Sequence, residues 1–182
     1  LNELSPPSPF FVEHLEALTE AGRCGPILDL ACGRGRHGIA AAEAGNRVIG
    51  IDRNRDSLAD LQSRARSLGR DLECILADIE NPPEIPLKRG SCGAILVFRF
   101  LYRPLAPMIE AALVPGGLLL YETFTLEQLE FGAGPRNPAH LLAAGELRRL
   151  FPGLRAASFR EEVVGGEHPT ALARLAAYKP TG

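Results

Sequence analysis

Gly33, Gly35 and Gly38 stand in the spacing G-x-G-x-x-G, directly behind the apolar run Pro26-Ile27-Leu28-Asp29-Leu30. Glycines so spaced let the backbone turn tightly and approach a ligand closely, and the helix that follows points its first amides at it. Two carboxylates accompany the turn. Asp29 lies near the end of the run before it, and Asp52 closes the next apolar run, Arg47-Val48-Ile49-Gly50-Ile51. An acid in the second place accepts hydrogen bonds from ribose hydroxyls, so the constellation reads as a nucleotide-type site. The alternatives are a glycine turn that only packs helix on sheet and an Asp52 that only caps the Arg53-Asn54-Arg55 turn; the flanking acids weigh against the first.

Such a turn works at the carboxyl ends of parallel strands, and the chain has the elements for them. Ser8-Pro9 opens a helix through about Ala21, with Phe11, Leu15 and Leu18 as its apolar stripe and Gly22 as its stop. Strands are expected at about 26–30, 47–51, 72–77, 94–98 and 118–121, with helices at 39–44, 57–68 and 107–113. Pro82, Pro83 and Pro86 make the crossover from Glu80 to Cys92 irregular. A Gly/Pro-rich loop from Phe131 to Pro138 precedes a helix ending near Leu150, and strands at about 156–164 and 171–178 close the chain. Strands alternating with helices or long crossovers call for an α/β, Rossmann-like doubly wound sheet. It is expected to be mostly parallel and seven-stranded, with an antiparallel C-terminal hairpin strand and helices on both faces.

Two ligands fit the turn, a nicotinamide dinucleotide and S-adenosylmethionine, and two details favour the second. Asp29 would repel a pyrophosphate, whereas it attracts a cationic methionyl group. The 182 residues also leave little for the substrate site that a nicotinamide enzyme builds beyond its Rossmann unit.

From here the sequence resembles the class I S-adenosylmethionine-dependent methyltransferases, over about residues 27–180. Ile27-Leu28-Asp29-Leu30-Ala31-Cys32-Gly33-Arg34-Gly35 is similar to the family's first motif, and Asp52 sits at its ribose-binding acid. Ala77-Asp78-Ile79 resembles the adenine-contacting turn, and Leu113-Val114-Pro115-Gly116-Gly117 the turn before the fifth strand. The resemblance implies a cofactor site made of Asp29, Ala31, Cys32, Gly33, Gly35, His37, Asp52, Arg53, Asp78, Ile79, Phe98 and Arg99. Asp78 has a plainer alternative as a turn cap before Asn81-Pro82, and His37 as a surface residue at a helix start.

After the fourth strand, Val97-Phe98-Arg99-Phe100-Leu101 resembles the tellurite-resistance (TehB-like) branch, as do Gly35-Arg36 and Gly166-Glu167-His168. That branch implies a substrate-facing His168, although the chain is one residue shorter between Glu167 and His168. Arg99, directly after the fourth strand, is the second catalytic candidate, placed to pair with an anionic substrate or the cofactor carboxylate. Solvent exposure of His168 and an ion pair for Arg99 are the competing readings. Tyr102 and Glu122 are further pocket candidates, and Arg136 and Asn137 lie where a substrate lid would form. His14 and His140 receive no role. Methyl transfer needs alignment of nucleophile, methyl and sulfur and exclusion of water, so the lack of an evident catalytic dyad does not count against it. A nicotinamide-dependent oxidoreductase and a non-catalytic cofactor-binding module remain the alternatives.

Composition narrows the partners. A net charge of −2 with 6% aromatics and no basic stripe disfavours nucleic acid, which leaves a small-molecule methyl acceptor. The longest apolar runs fall far short of a membrane span, and no signal peptide is recognisable. Cys24, Cys32, Cys74 and Cys92 lack metal-ligand spacing, so no metal is expected and the thiols read as free in a cytoplasmic setting. A single domain over 1–182 is expected, with a lead and capping helix over 1–25 and the core over 26–182. Residues preceding Leu1 are expected to add to the lid.

Overall fold

The computed structural model describes residues 4–70 and 72–182; the part of the N-terminal lead in residues 1–3 lies outside them. Seven strands form one sheet in the order β3-β2-β1-β4-β5-β7-β6. β1 (Ile27–Leu30), β2 (Val48–Asp52), β3 (Leu72–Leu76), β4 (Cys92–Phe98) and β5 (Leu113–Phe124) pair in parallel. β7 (Thr170–Tyr178) runs antiparallel between β5 and β6 (Arg155–Val164). The sheet is therefore the expected one, and the order in which strands are added reverses between β1 and β4, where open α/β sheets leave their crevice.

Strand residues alternate between the two faces, and the face decides what each side chain meets. Leu28, Leu30, Ile95, Val97, Leu119 and Tyr121 pack under α5 (Ala106–Ala112) and the segment around Leu142, Leu147 and Phe151. Ile27, Val48, Leu96, Phe98 and Leu120 face α1 (Pro9–Glu13), α2 (Leu15–Gly22), α3 (Arg36–Glu43) and α4 (Arg55–Ser67). Asp29 and Glu122 share the alternation of this second face, so their carboxylates arise between the sheet and the N-terminal helices.

Three elements differ from expectation. The first helix is two, broken at His14, whose ring Nδ1 bonds the Phe10 carbonyl at 2.9 Å and takes the acceptor that a continuous helix would give to the His14 amide. β5 begins at Leu113 and carries Pro115-Gly116-Gly117 as an irregularity inside its pairing with β4. Only Glu146–Arg149 is α-helical before Leu150 (α6), because the Glu146 carboxylate accepts from the Ala143 amide at 2.8 Å and holds the preceding residues in a loop. The proline-rich crossover is irregular, as its composition requires.

Candidate active site

The glycine turn joins β1 to α3. Ala31 and Gly33 both take φ of +53° and Gly35 takes +77°, so the chain bends sharply before Arg36 starts the helix. A Cβ on Gly33 would meet nothing within 4 Å; the turn borders open space there, as a ligand cradle must. The Gly33 amide donates to Asp52 Oδ2 at 2.7 Å, and Asp52 Oδ1 accepts from the Asn54 amide at 2.8 Å. Asp52 therefore caps its own turn and also locks the glycine turn to the end of β2. Each carboxylate oxygen keeps a lone pair for a further donor.

Asp29 is buried, and its Oδ2 accepts from the Gly38 amide at 2.9 Å. Gly35, the residue capping α3, has no side chain to offer, so Asp29 supplies the cap from the neighbouring strand. A carboxylate at this helix start also stands where a pyrophosphate would have to lie. Burial pushes the Asp29 carboxyl up to about 7, against the lowering effects of the Gly38 amide and Arg36. Between pH about 4 and 7 the folded chain then holds a proton that the unfolded chain has released. Its unfolding free energy should fall as pH rises through that window and level off above it. Urea melts across the window should show this slope, and Asp29→Asn should remove it.

Two adjoining cavities open at the carboxyl ends of the strands, sharing Ala31 and Arg99. The turn-side cavity, about 660 Å³, is bordered by Asp29, the 31–36 turn, His37, Phe98 and Leu4-Ser5 of the N-terminal lead. The loop-side cavity, about 350 Å³, runs from Asp52, Arg53, Asp78 and Ile79 to Phe100, Thr123 and Phe124. Every residue implied for the cofactor borders one or the other. Asp78 Oδ1 also accepts from the Glu80 amide at 3.0 Å, so its turn-capping role is present as well.

His37 is buried rather than on the surface, stacked on Phe98 at 3.8 Å between ring centroids. Its Nε2 accepts from the Ser8 amide at 3.1 Å, and burial, with Arg36 and Arg99 nearby, lowers its pKa to about 3. A neutral imidazole with Nε2 already engaged is a latch for the N-terminal segment, not a proton donor. Ser8 continues the latch: its hydroxyl donates to Glu122 Oε2 at 2.7 Å, and Arg174 Nε meets the same oxygen at 2.8 Å. Arg174 also bonds Glu162. Glu122 is thus a buried hub joining β5, β7 and the N-terminal segment, and not a free base at the pocket wall.

Side-chain bonds tie down the two ends of the Gly/Pro-rich loop. Arg103 reaches across to the Ala139 carbonyl (2.7 Å), the Leu141 carbonyl (2.9 Å) and the Glu146 carboxylate. Gln128 ties Ala133 to Ala171 from beneath. Among the described residues Arg136 bonds Gly132 and Asn137 bonds Ala139, both local contacts, while Pro135 and His140 border the cavity. Tyr102 packs by donating to the Glu80 carbonyl at 3.0 Å. Arg103→Ala should cost about 1–3 kcal/mol and hasten proteolysis between residues 131 and 140, both measurable by denaturant melts and limited digestion.

His168 is not brought to the site. It is exposed in the β6–β7 turn, at the ligand end of the sheet but two strands beyond β5, and borders neither cavity. His140, Thr123, Phe124 and Phe100 escaped the sequence reading. Only the position of Thr123 and Phe124 after a buried strand pointed to them.

A family model described as a methyltransferase domain matches residues 27–117, half of the 182-residue chain. An uncharacterized RNA methyltransferase of Parasynechococcus marenigrum is 34% identical over 107 residues, covering 57% of this chain and 23% of its own length. The chain thus spans less than a quarter of the curated relatives it matches. Among solved structures, a SAM-dependent methyltransferase of Methanosarcina mazei aligns with a TM-score of 0.74 at 18% identity, covering 98% of this chain and all of that one. TehB from Haemophilus influenzae aligns with a TM-score of 0.71 at 20% identity, covering 90% of this chain and 61% of that one. The chain belongs to the methyltransferase-domain family, with the fold of the class I S-adenosylmethionine-dependent enzymes.

Proposed function

We propose that the chain transfers a methyl group from S-adenosylmethionine to a small-molecule acceptor held at the Phe100–Phe124 end of the loop-side cavity, beyond the Asp52 and Asp78-Ile79 end that takes the cofactor. The observation that carries this reading is the Gly33–Asp52 clasp between two adjoining cavities, which leaves a ligand-sized trough bounded by acids at both ends. The sulfonium supplies an already activated methyl, so the protein's work is to bind, align and exclude water. Asp52 would take the ribose hydroxyls and the Asp78-Ile79 turn the base. Asp29, ionised by a nearby cation, would favour the methionyl end, and cofactor binding near pH 7 should then release a proton. The latched N-terminal segment and the Arg103-anchored loop close the trough from two sides.

A small acceptor is favoured over nucleic acid because Phe100, Phe124 and Pro135 wall one end of the loop-side cavity, and the sequence carries no basic stripe with interleaved aromatics. The relative named as an RNA methyltransferase matches only part of this chain, which does not outweigh that wall. The test is transfer from methyl-labelled S-adenosylmethionine to a panel of small acceptors and to RNA. Label should appear in a small product and fall about tenfold or more in Asp52→Ala at subsaturating cofactor, from one lost buried hydrogen-bond acceptor. Label in RNA alone, or in nothing, overturns the reading.

A further inference from the structure

Resting on that methyl-transfer reading, we propose that the acceptor is a small, flat organic anion whose charged group is bound by Arg99. Arg99 is the residue common to the two cavities that carries a charge. Its φ of +60° is a backbone conformation that side-chain-bearing residues seldom take, held by its amide donating to the Glu122 carbonyl at 2.8 Å. Glycine would sit there without strain, so the strained site is one where a side chain is retained for use.

The guanidinium is poorly matched by its own protein. Glu122 Oε2 is already shared by Ser8 and Arg174. Glu122 Oε1, buried and without a hydrogen-bond partner among the described residues, forms with Arg99 Nε the ion pair that was its competing reading, but at 3.7 Å, beyond hydrogen-bond reach. The planar group instead lies over the Phe124 ring, its central carbon 4.6 Å from the centroid. A half-exposed planar cation resting on an aromatic ring, its terminal nitrogens bonded to no described residue, presents the fork geometry that a carboxylate matches. Phe100, Leu101 and Pro135 join Phe124 as an apolar stretch of a wall that also carries Asp52, Asp78 and Glu80, and that stretch suits a ring or short chain behind the anionic group.

The rival claimant for Arg99 is the carboxylate of the cofactor. The cofactor's methionyl end belongs with Asp29 in the turn-side cavity, which Phe124 does not border, so the guanidinium stacked on Phe124 is turned away from that carboxylate. Arg36 lies on the turn side, reaching only the Pro6 carbonyl at 3.4 Å, and is better placed for the cofactor's anionic end.

Benzoate and benzamide, alike in shape and different in charge, test this by calorimetry or saturation-transfer NMR on the chain saturated with S-adenosylhomocysteine. Benzoate should bind about tenfold or more tighter than benzamide, as a charge-assisted pair allows. Arg99→Gln should erase that preference, Arg99→Lys should keep part of it, and S-adenosylhomocysteine affinity should stay within about threefold in both. Equal binding of the two probes, no benzoate binding, or a preference that survives Arg99→Gln overturns the proposal. So does a large loss of S-adenosylhomocysteine affinity in Arg99→Gln, which gives the guanidinium to the cofactor. If the unaltered chain binds no S-adenosylhomocysteine, the methyl-transfer reading itself falls, and this proposal with it.

Discussion

Glu122→Ala is expected to destabilise the fold by roughly 3 kcal/mol and lower Tm by roughly 6–12 °C, the scale of breaking a buried charged pair in a domain of this size. Glu122 is 0% exposed, and its removal strips Arg174 of one of its two carboxylates and the Ser8 hydroxyl of its acceptor. The damage should not stay in the sheet. Ser8 also donates its amide to His37, and Glu13 pairs with Arg160 at 2.6 Å, so the segment before α2 is held at three points. With the central point gone, amide exchange over residues 8–14 should accelerate more than exchange in β1 or β4. Glu122→Gln keeps an acceptor for Ser8 and should lose less. A Tm within about 2 °C of the unaltered chain in Glu122→Ala would show that the hub is not a stabilising contact.

Gly35→Ala should have the second large effect, because two penalties coincide at one atom. The φ of +77° strains any side-chain-bearing residue, and an added Cβ would lie 2.3 Å from Leu61 Cδ1 and 3.0 Å from Leu61 Cγ. Leu61 is fully buried between α4 and the sheet, so it has little room to withdraw. Strain of about 1 kcal/mol together with overpacking of about 1–3 kcal/mol gives an expected loss of roughly 2–4 kcal/mol. The neighbouring Gly33–Asp52 clasp should be displaced with the turn. Cofactor affinity is therefore expected to fall about tenfold or more even where the variant stays folded, which calorimetry below its melting temperature would measure. The companion variant Leu61→Ala makes space for the new methyl; Gly35→Ala with Leu61→Ala should recover part of the lost affinity.

The strand positions, the mostly parallel sheet and the glycine turn were legible because they rest on local patterns: apolar runs, a G-x-G-x-x-G spacing and acids at strand ends. The split of the first helix was not, since it depends on one histidine ring competing for one carbonyl. His37 reads in sequence as a cofactor-pocket residue with a surface helix start as the rival, and its burial depends on Phe98 and Phe11, which meet it from other elements. Glu122 looked like a free acid after a strand; Ser8 and Arg174, distant in sequence, make it a hub. Arg136 and Asn137 looked like lid residues by composition, but the loop uses them to hold itself, and Arg103 from another segment pins the wall. Long-range side-chain pairs of this kind leave no periodic trace.

The central claim is that S-adenosylmethionine lies across the trough between the glycine turn, Asp52 and the Asp78-Ile79 turn. Calorimetric titration with S-adenosylhomocysteine, with NAD as the comparison ligand, tests it most directly. The account predicts saturable binding of one S-adenosylhomocysteine per chain, weakened about tenfold or more by Asp52→Ala, and no heat from NAD. NAD binding without S-adenosylhomocysteine binding, or S-adenosylhomocysteine affinity indifferent to Asp52→Ala, would contradict it.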